Sequence, residues 1–324
     1  MITNARIVCK GADPLDYHKQ TAERGTPEFI MSSGALREFA ACPSRWRAGY
    51  QNPESTAKEW GALLDCLLTS KERFDGLYAI EPDDYTNEAG ETKAWNNNAK
   101  VCRKWRDEQA GKEVVDKRLV EQCRKAIGRL RSDDVIALWL DSCDTQIWVA
   151  AEWHDKDTGL IVPVKCLLDF VPRTDTEFAY ALGDLKSTRN ASVLAWQRWC
   201  FTAGYHVQAA IYADAYIAAT NEDRNTWCFI VQENYEPYQP GKRILSQDFL
   251  TLGRATYKSM MENYCQCLKA NRWPGYDDTD EAVQGWSLVE PDPWMAERAQ
   301  FAPRFEFSEQ GEPEGEEQPV YDTP

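Results

Sequence analysis

Two apolar runs decide the fold of this chain, Ile161-Val-Pro-Val-Lys-Cys-Leu-Leu-Asp169-Phe-Val171 and Phe178-Ala-Tyr-Ala-Leu-Gly-Asp184-Leu-Lys186. Their length and apolar character predict two neighbouring β-strands, the first with Asp169 near its end. Because alternate residues of a strand point to the same face, the side chains of Asp184 and Lys186 project together. The pattern therefore predicts that two acids and one lysine converge at one place on a sheet.

Two carboxylates and a lysine are the side chains that metal-assisted phosphodiester hydrolysis needs. Carboxylates suit Mg²⁺, a hard cation that also keeps waters and takes substrate phosphate oxygens. The metal would lower the pKa of the attacking water, and the lysine would steer that water or neutralise developing charge. A second acid-x-Lys triplet, Glu91-Thr-Lys93, lies in a polar stretch and is interpreted as a solvated charge pair. From spacing alone, a nuclease site and an ordinary charge pair both remain open at Asp184.

The chain around these strands resembles the PD-(D/E)XK nuclease superfamily, and within it the RecE-type (exonuclease VIII-like) phage recombination exonucleases. The resemblance spans residues 30–275 and rests on short motifs that occur in the family's order. These motifs are Ser32-Ser-Gly-Ala-Leu36 with Cys42-Pro43, Gly61-Ala-Leu-Leu-Asp65, Thr158-Gly-Leu160, Leu168-Asp-Phe170, Asp184-Leu-Lys-Ser-Thr188 and Tyr205-His-Val-Gln-Ala-Ala-Ile-Tyr212.

The resemblance implies an α/β fold, in which a PD-(D/E)XK core with a mixed central sheet flanked by helices follows an N-terminal helical region. The catalytic residues that it implies are Asp169, Asp184, Lys186, Gln208 and Tyr212. Gln208 and Tyr212 are four residues apart, so they share one face of a helix that borders the site in the family. The implied metal ligands are Asp169, Asp184 and the main-chain carbonyl of Leu185.

Two departures from the family pattern concern the metal site. The family's Gly-x-x-x-His motif supplies a histidine ligand, and this chain has Asp65 in its place. Asp65 is expected to be a metal ligand because Mg²⁺ prefers oxygen, with a solvent-facing aspartate as the alternative. The acid expected on or before the first core strand has two stand-ins, Gln146 and Glu152. Glu152 is the preferred metal ligand because it is charged.

The implied activity is ATP-independent, processive 5′-to-3′ digestion of linear double-stranded DNA, which leaves 3′ single strands for recombination by annealing. Expected partners are double-stranded DNA ends, a RecT-like single-strand annealing protein and further copies of the chain in a ring, with a tetramer favoured. The expected cofactor is Mg²⁺, with Mn²⁺ as a second candidate. No nucleotide cofactor is expected, because the chain has no Gly-x-x-x-x-Gly-Lys-Ser/Thr sequence. The alternatives are a structure-specific or defence endonuclease of the same fold and a catalytically inactive DNA-binding or interaction module.

The net charge of −15 is unusual for a DNA-binding protein, but it is unevenly distributed. Residues 275–324 hold 14 of the 52 acids against two arginines, so the rest of the chain is nearly neutral and can present a basic channel. The candidate DNA-binding residues lie on a predicted helix and beside Gln208; they are Lys117, Arg124, Lys125, Arg129, Arg131, Tyr205 and His206. The alternatives are a solvated helix face for the basic residues and a structural role for His206. Trp196 and Trp199 are interpreted as core residues, with stacking on a splayed base as the alternative.

Four segments are predicted along the chain. They are an N-terminal extension at 1–30, the helical part of the nuclease domain at 31–144, the catalytic core at 145–274 and an acidic, largely disordered tail at 275–324. Strands are predicted at 145–153, 160–171, 178–186, 226–233 and 242–246. Helices are predicted at 33–50, 57–68, 97–110, 116–140, 191–219 and 248–270.

The eleven cysteines are expected to be packed thiols, since their spacing does not match that of an iron–sulfur cluster. No apolar run approaches the roughly 20 residues that span a bilayer. The N-terminus lacks the basic and apolar regions of an export signal. These features predict a cytoplasmic protein that does not contact membranes.

Overall fold

The computed structural model describes residues 1–19, 22–50, 56–278, 286, 289 and 290. The chain divides into two compact units, 1–275 and 276–324. The first unit holds every helix and strand named below. The predicted disorder of the acidic tail concerns residues that lie almost entirely outside the described ones.

A six-stranded sheet of mixed direction forms the centre of the first unit. In chain order the strands of the unit are β1 Ile2–Cys9, β2 Tyr78–Ile80, β3 Asp84–Thr86, β4 Thr92–Ala94, β5 Glu113–Val115, β6 Cys143–His154, β7 Ile161–Pro172, β8 Ala181–Thr188, β9 Thr226–Glu233 and β10 Pro240–Leu245. The spatial order of the central sheet is β1-β6-β7-β8-β9-β10, and within it β8 and β9 are parallel while the other neighbours are antiparallel. The short strands form two small sheets, β2 with β5 and β3 with β4.

Helices cover both faces of the central sheet. In chain order they are α1 Pro14–His18, α2 Ser33–Ala41, α3 Pro43–Arg47, α4 Thr56–Thr69, α5 Phe74–Leu77, α6 Lys100–Glu108, α7 Lys117–Arg131, α8 Asp134–Ser142, α9 Val193–Thr202, α10 Tyr205–Thr220 and α11 Gln247–Ala270, with a 3₁₀ turn at Lys71–Arg73. One hydrophobic core joins α2, α10 and α11 to the sheet, and a second joins α4, α7 and α8 to the opposite face. The predicted α/β fold, a mixed sheet flanked by helices, is confirmed.

Three predicted helices are each two helices in the structure. Pro43 starts α3 directly after α2, because its ring has no N–H to continue the preceding helix. Asp133 caps α8 by accepting hydrogen bonds from the N–H groups of Val135 and Ile136, both at 3.1 Å. Gly204 separates α9 from α10 with a left-handed backbone, φ +68°.

Residues 2–9 fall in the segment predicted as an N-terminal extension, yet they form the edge strand β1 of the central sheet. β1 pairs with β6 through two register irregularities, between Thr3 and Arg6 and between Ile7 and Cys9. Each irregularity breaks the two-residue alternation by which a strand is identified from sequence. The first residues of the chain are therefore part of the sheet that carries the candidate site.

All eleven cysteines are free thiols. Within the part of the chain that the structure describes, no helix combines the length and the apolarity that crossing a bilayer would take.

Candidate active site

Three neighbouring strands place polar side chains in one row across the centre of the sheet. Phe170 of β7 pairs with Gly183 of β8, so Asp169 lies opposite Asp184. The β6–β7 register, in which Thr145 pairs with Phe170, likewise places Gln146 opposite Asp169. The Leu185 N–H donates to Asp169 Oδ2 at 2.9 Å. Strand pairing alone therefore brings together residues that are far apart in sequence.

Asp184 is almost fully buried, with 1% of its surface exposed, and both of its carboxylate oxygens accept hydrogen bonds. Gln208 Nε2 donates to Asp184 Oδ1 at 2.9 Å, and Lys186 Nζ donates to Asp184 Oδ2. Lys186 Nζ also lies 3.4 Å from the Leu185 carbonyl oxygen and 5.0 Å from the centre of the Tyr205 ring. Helix α10 thus supports β8 with two side chains from its first turn, one polar and one aromatic.

Helix α4 brings Asp65 to the same place. Gln146 Nε2 donates to the two Asp65 oxygens at 3.3 and 3.2 Å, and Thr69 Oγ1 lies 3.3 Å from Asp65 Oδ1. Gly61, one turn earlier, lets α4 approach β8 closely: a Cβ atom there would lie 3.1 Å from Ser187 Oγ. Asp65 also borders a cavity of about 450 Å³. We call Asp65, Asp169 and Asp184 the carboxylate cluster.

Burial and the short distances within the carboxylate cluster change the pKa values of its members. Burial, and then repulsion from Asp184 and Asp65, raises the pKa of Asp169 well above its usual value. Burial, followed by repulsion from Asp184, raises the pKa of Asp65 to about 6. Burial alone would lower the pKa of Lys186, but attraction to Asp184 and Asp169 outweighs it and raises that pKa. Asp65 and Asp169 therefore resist ionisation, while the neighbouring Lys186 ammonium keeps its proton.

The donor set fits a hard divalent cation. It consists of the cluster carboxylates and the Leu185 carbonyl, all oxygen ligands of the kind that Mg²⁺ and Mn²⁺ take. Gln146 Oε1 is buried and has no hydrogen-bond partner, so it is a further oxygen available to a cation or its water. Among the described residues, no three His, Cys, Asp or Glu side chains are already arranged as a metal-binding group. Lys186 and the Leu185 N–H occupy carboxylate oxygens that a cation would take.

The structure does not bring Glu152 to the cluster, so the preference for it over Gln146 was wrong. Glu152 pairs with Pro163 of β7, six residues before Asp169 and therefore about 20 Å away along the strand. Its carboxylate binds Asn4 Nδ2 at 2.6 Å and His154 Nε2 at 2.9 Å. The sequence offered charge as the criterion, whereas strand register decides which residue reaches the site.

Tyr212 is buried one turn after Gln208, but its hydroxyl contacts Ser33 Oγ, at 3.5 Å, rather than a cluster carboxylate. Burial raises the pKa of Tyr212 to about 12. Tyr17 of α1 also packs here, and its main-chain carbonyl accepts a 2.6 Å hydrogen bond from the buried Lys165 Nζ. The sequence analysis missed the contact between Tyr17 and Lys165. No local pattern in the N-terminal segment indicates that it packs beside β7.

His206 does not have the exposure that its predicted DNA contact requires. Its ring is buried, stacks on Phe201 with centroids 5.3 Å apart, and places Nδ1 3.4 Å from the Cys200 carbonyl oxygen. Burial lowers the pKa of His206. His206 therefore has a structural role, the alternative given for it in the sequence analysis. Trp196 is likewise a core residue, whereas Trp199 is not, with half of its surface exposed.

The predicted DNA-binding residues of α7 lie on an exposed helix face among acidic and polar neighbours. We call Lys117, Arg124, Lys125, Arg129 and Arg131 the basic face. Lys117 pairs with Asp83, Lys125 with Glu236 at 3.1 Å and Arg131 with Asp141. Arg129 donates to Gln239 Oε1 at 3.1 Å, and Arg124 borders a cavity with Lys71 and Phe74. Most of the positive charge of the basic face is therefore offset by its neighbours.

A solved structure shares this architecture. The crystal structure of a "Putative exonuclease" from Eubacterium rectale matches with a TM-score of 0.54 over 90% of this chain and 99% of that chain, at 15% sequence identity. At that identity the likeness shows the fold. Among curated proteins, none matches the chain in sequence.

The family model of a "PDDEXK-like domain of unknown function" (DUF3799) matches residues 32–284. That range includes the whole carboxylate cluster, Lys186 and Gln208. The match covers well over half of the chain. The chain therefore belongs to the DUF3799 family of PDDEXK-like domains.

Proposed function

We propose that this protein is a divalent-metal-dependent nuclease that hydrolyses DNA phosphodiesters at the carboxylate cluster. The observation that carries the proposal is the convergence of Asp169 and Asp184 beside Lys186, with the pKa of Asp169 raised by burial and then by repulsion from the neighbouring acids. Buried like charges with perturbed pKa values are typical of functional sites, because a stable protein gains nothing from their repulsion. A divalent cation held by these carboxylates would offset that repulsion.

Each residue of the site has its own role in the proposed reaction. Asp169, Asp184 and the Leu185 carbonyl would hold Mg²⁺ or Mn²⁺, with Asp65 as a further ligand; the bound ion supplies electrophilic stabilisation of the phosphate charge. Lys186 keeps its proton, so it orients the attacking water and offsets developing charge; it does not act as a base. Gln208 holds Asp184 in its orientation by the 2.9 Å hydrogen bond.

The substrate and direction in this proposal come from resemblance. The motifs resemble RecE-type exonucleases, which supports 5′-to-3′ digestion of linear double-stranded DNA to leave 3′ single strands. The same resemblance supports a ring of copies, favouring a tetramer, a RecT-like annealing partner and a cytoplasmic location. The shared fold with the Eubacterium rectale protein agrees with a nuclease of this superfamily.

Degradation of 5′-phosphorylated linear duplex DNA with Mg²⁺ or Mn²⁺ tests the proposal, with covalently closed circular DNA as the second substrate. We expect loss of the linear DNA only, with mononucleotides released from the 5′ strand, and no loss with Lys186→Ala or with EDTA. Opening of the closed circle would instead identify an endonuclease of the same fold. A well-folded wild-type protein that cleaves neither substrate with either metal would contradict the proposal.

A further inference from the structure

A groove of about 770 Å³ runs between α2, the turn from α9 to α10, and α11. We call it the α2–α11 groove. Three cationic side chains, Arg37, Arg45 and Lys58, border it. Three apolar ones, Phe201, Leu252 and Met260, line it as well. Its acid, Glu38, lies 3.5 Å from the guanidinium of Arg24, and the groove lining combines cationic with apolar side chains.

Arg37 is the best-defined cation of this groove. Its Nε donates to the Ser33 carbonyl at 3.3 Å, and another guanidinium nitrogen donates to the Ala203 carbonyl. Its guanidinium lies 5.9 Å from the centre of the Tyr205 ring. None of these partners is a carboxylate, so the contacts orient the guanidinium without cancelling its charge. Gly204 makes room for it, since a Cβ atom there would meet Arg37 Cδ at 2.7 Å.

The α2–α11 groove and the carboxylate cluster share a neighbour in Tyr205. The Tyr205 ring centre lies 5.9 Å from Arg37 Cζ and 5.0 Å from Lys186 Nζ, so a groove cation and the lysine of the cluster contact the same aromatic ring. Gly204 and His206 border the groove, and Gln208, which holds Asp184, follows within one turn of the same helix. The groove and the carboxylate cluster are therefore connected through Tyr205 and the first turn of α10.

We propose that the α2–α11 groove binds a single strand of nucleic acid that leads to the carboxylate cluster; this inference rests on the proposed function. Single-strand sites combine cations that track the phosphates with aromatic or apolar surfaces that contact the bases. Phe201, with 55% of its surface exposed, supplies such a surface beside the three cations. A duplex keeps its bases stacked inside, so an apolar lining would face only its backbone. The juxtaposition of cations and apolar residues therefore selects an unpaired strand.

Fluorescence anisotropy tests this inference by binding, independently of cleavage. The probes are a labelled twelve-nucleotide oligo-dT and a labelled twelve-base-pair blunt duplex, titrated with Lys186→Ala protein in EDTA. Added to that background, Phe201→Ala should weaken oligo-dT binding about tenfold, since one stacked base contributes about 1–3 kcal/mol. Arg37→Gln should weaken it too and reduce the slope of log K against log salt by about 0.7. Duplex binding should change less than threefold.

Matched controls are Tyr235→Ala, an exposed aromatic outside the groove, and Lys117→Gln on the basic face. Neither should alter oligo-dT affinity. Lys58→Gln, on the exposed surface of α4, repeats the Arg37 test with little risk to folding. Circular dichroism melting verifies that each variant folds.

Unchanged oligo-dT affinity in Phe201→Ala, Arg37→Gln and Lys58→Gln would overturn the inference, as would equal losses for duplex and single strand. The two proposals fail separately. If the protein cleaves no DNA but its oligo-dT affinity depends on the groove residues, the single-strand site is supported and the proposed nuclease activity is rejected. Cleavage of linear duplex, with oligo-dT affinity indifferent to the groove variants, would keep the nuclease and reject the groove.

Discussion

The carboxylate cluster and the basic face of α7 both contain many charged residues. The cluster holds like charges close together, whereas the basic face pairs its charges with opposite ones. In the cluster, Asp65, Asp169 and Asp184 lie close together, and burial with mutual repulsion raises two of their pKa values. On the basic face, Lys117 and Lys125 are half exposed or more and each pairs with an acid from another part of the chain.

The two regions differ in what their charged residues indicate about function. An exposed ion pair contributes about 0–1 kcal/mol and forms wherever opposite charges meet on a surface. Buried like charges cost free energy, so their presence requires a compensating role such as metal binding. The basic residues of α7 are consistent with a solvated helix face, the alternative that the sequence leaves open, whereas burial and repulsion from neighbouring acids raise the pKa of Asp169.

The largest effect should come from Asp184→Asn, which removes a cluster charge with little change of shape. We expect nuclease activity on linear duplex to fall at least about 1000-fold, equivalent to about 4 kcal/mol of transition-state stabilisation. Initial rates with Mg²⁺ measure it, and Lys117→Gln on the basic face should stay within about threefold. Equal losses in both variants would abolish the contrast between the two regions.

Gln208→Leu should have the next largest effect, because it leaves Asp184 Oδ1 without its 2.9 Å hydrogen bond. Without this hydrogen bond the Asp184 carboxylate is free to reorient, so we expect kcat to fall about 10- to 100-fold, a rise in the barrier of about 1.4–2.7 kcal/mol. Gln208→Glu is not a suitable control, since it adds a fourth acid; Gln239→Leu, beside Arg129, is. Full activity in Gln208→Leu would show that α10 does not position Asp184.

Asp65→Asn should change how stability depends on pH. The pKa of Asp65 is raised from 3.8 to about 6, so the folded protein holds a proton that the unfolded chain releases between these values. Stability therefore falls as pH rises from about 4 to 6, by roughly 1–3 kcal/mol at most, and stays lower above that window. Asp65→Asn should be more stable than wild type at pH 7.

Urea denaturation in EDTA at pH 4.5, 5.5 and 7 measures this difference. Asp83→Asn, which changes an exposed acid paired with Lys117, serves as the control and should keep the wild-type slope over this range. An Asp65→Asn variant less stable than wild type at pH 7 would mean that Asp65 is stabilised as a carboxylate, contrary to the repulsion described above. Added Mg²⁺ should stabilise wild type more than Asp65→Asn.

Lys125→Gln should have the smallest effect. Its partner Glu236 is well exposed, so loss of the 3.1 Å pair should leave the midpoint of unfolding unchanged. Thermal or urea denaturation measures this, with Glu236→Gln as the reciprocal variant. A tenfold loss of duplex DNA affinity in Lys125→Gln would make the basic face a DNA contact after all and would narrow the difference between the two regions.

The five predicted strands of the core lie within a few residues of β6 to β10, and the breaks inside three predicted helices were missed. Strands can be predicted from the sequence because the alternation of apolar residues is a local pattern. The helix breaks depend on single residues, such as Pro43 or Gly204, whose effect a long apolar pattern conceals. β1 escaped detection because its register irregularities disturb the alternation.

The two-residue period of a strand is a local property, so the sequence alone places Asp184 and Lys186 on one face of β8. The family motifs also imply Asp65 and Gln208 as site residues, and helix packing brings both of them to the central strands. Strand register, which no single segment specifies, places Gln146 rather than Glu152 opposite Asp169. Tertiary packing likewise buries His206 and sets acids beside the basic face. Register and burial depend on contacts between segments far apart in the chain, which no local pattern encodes.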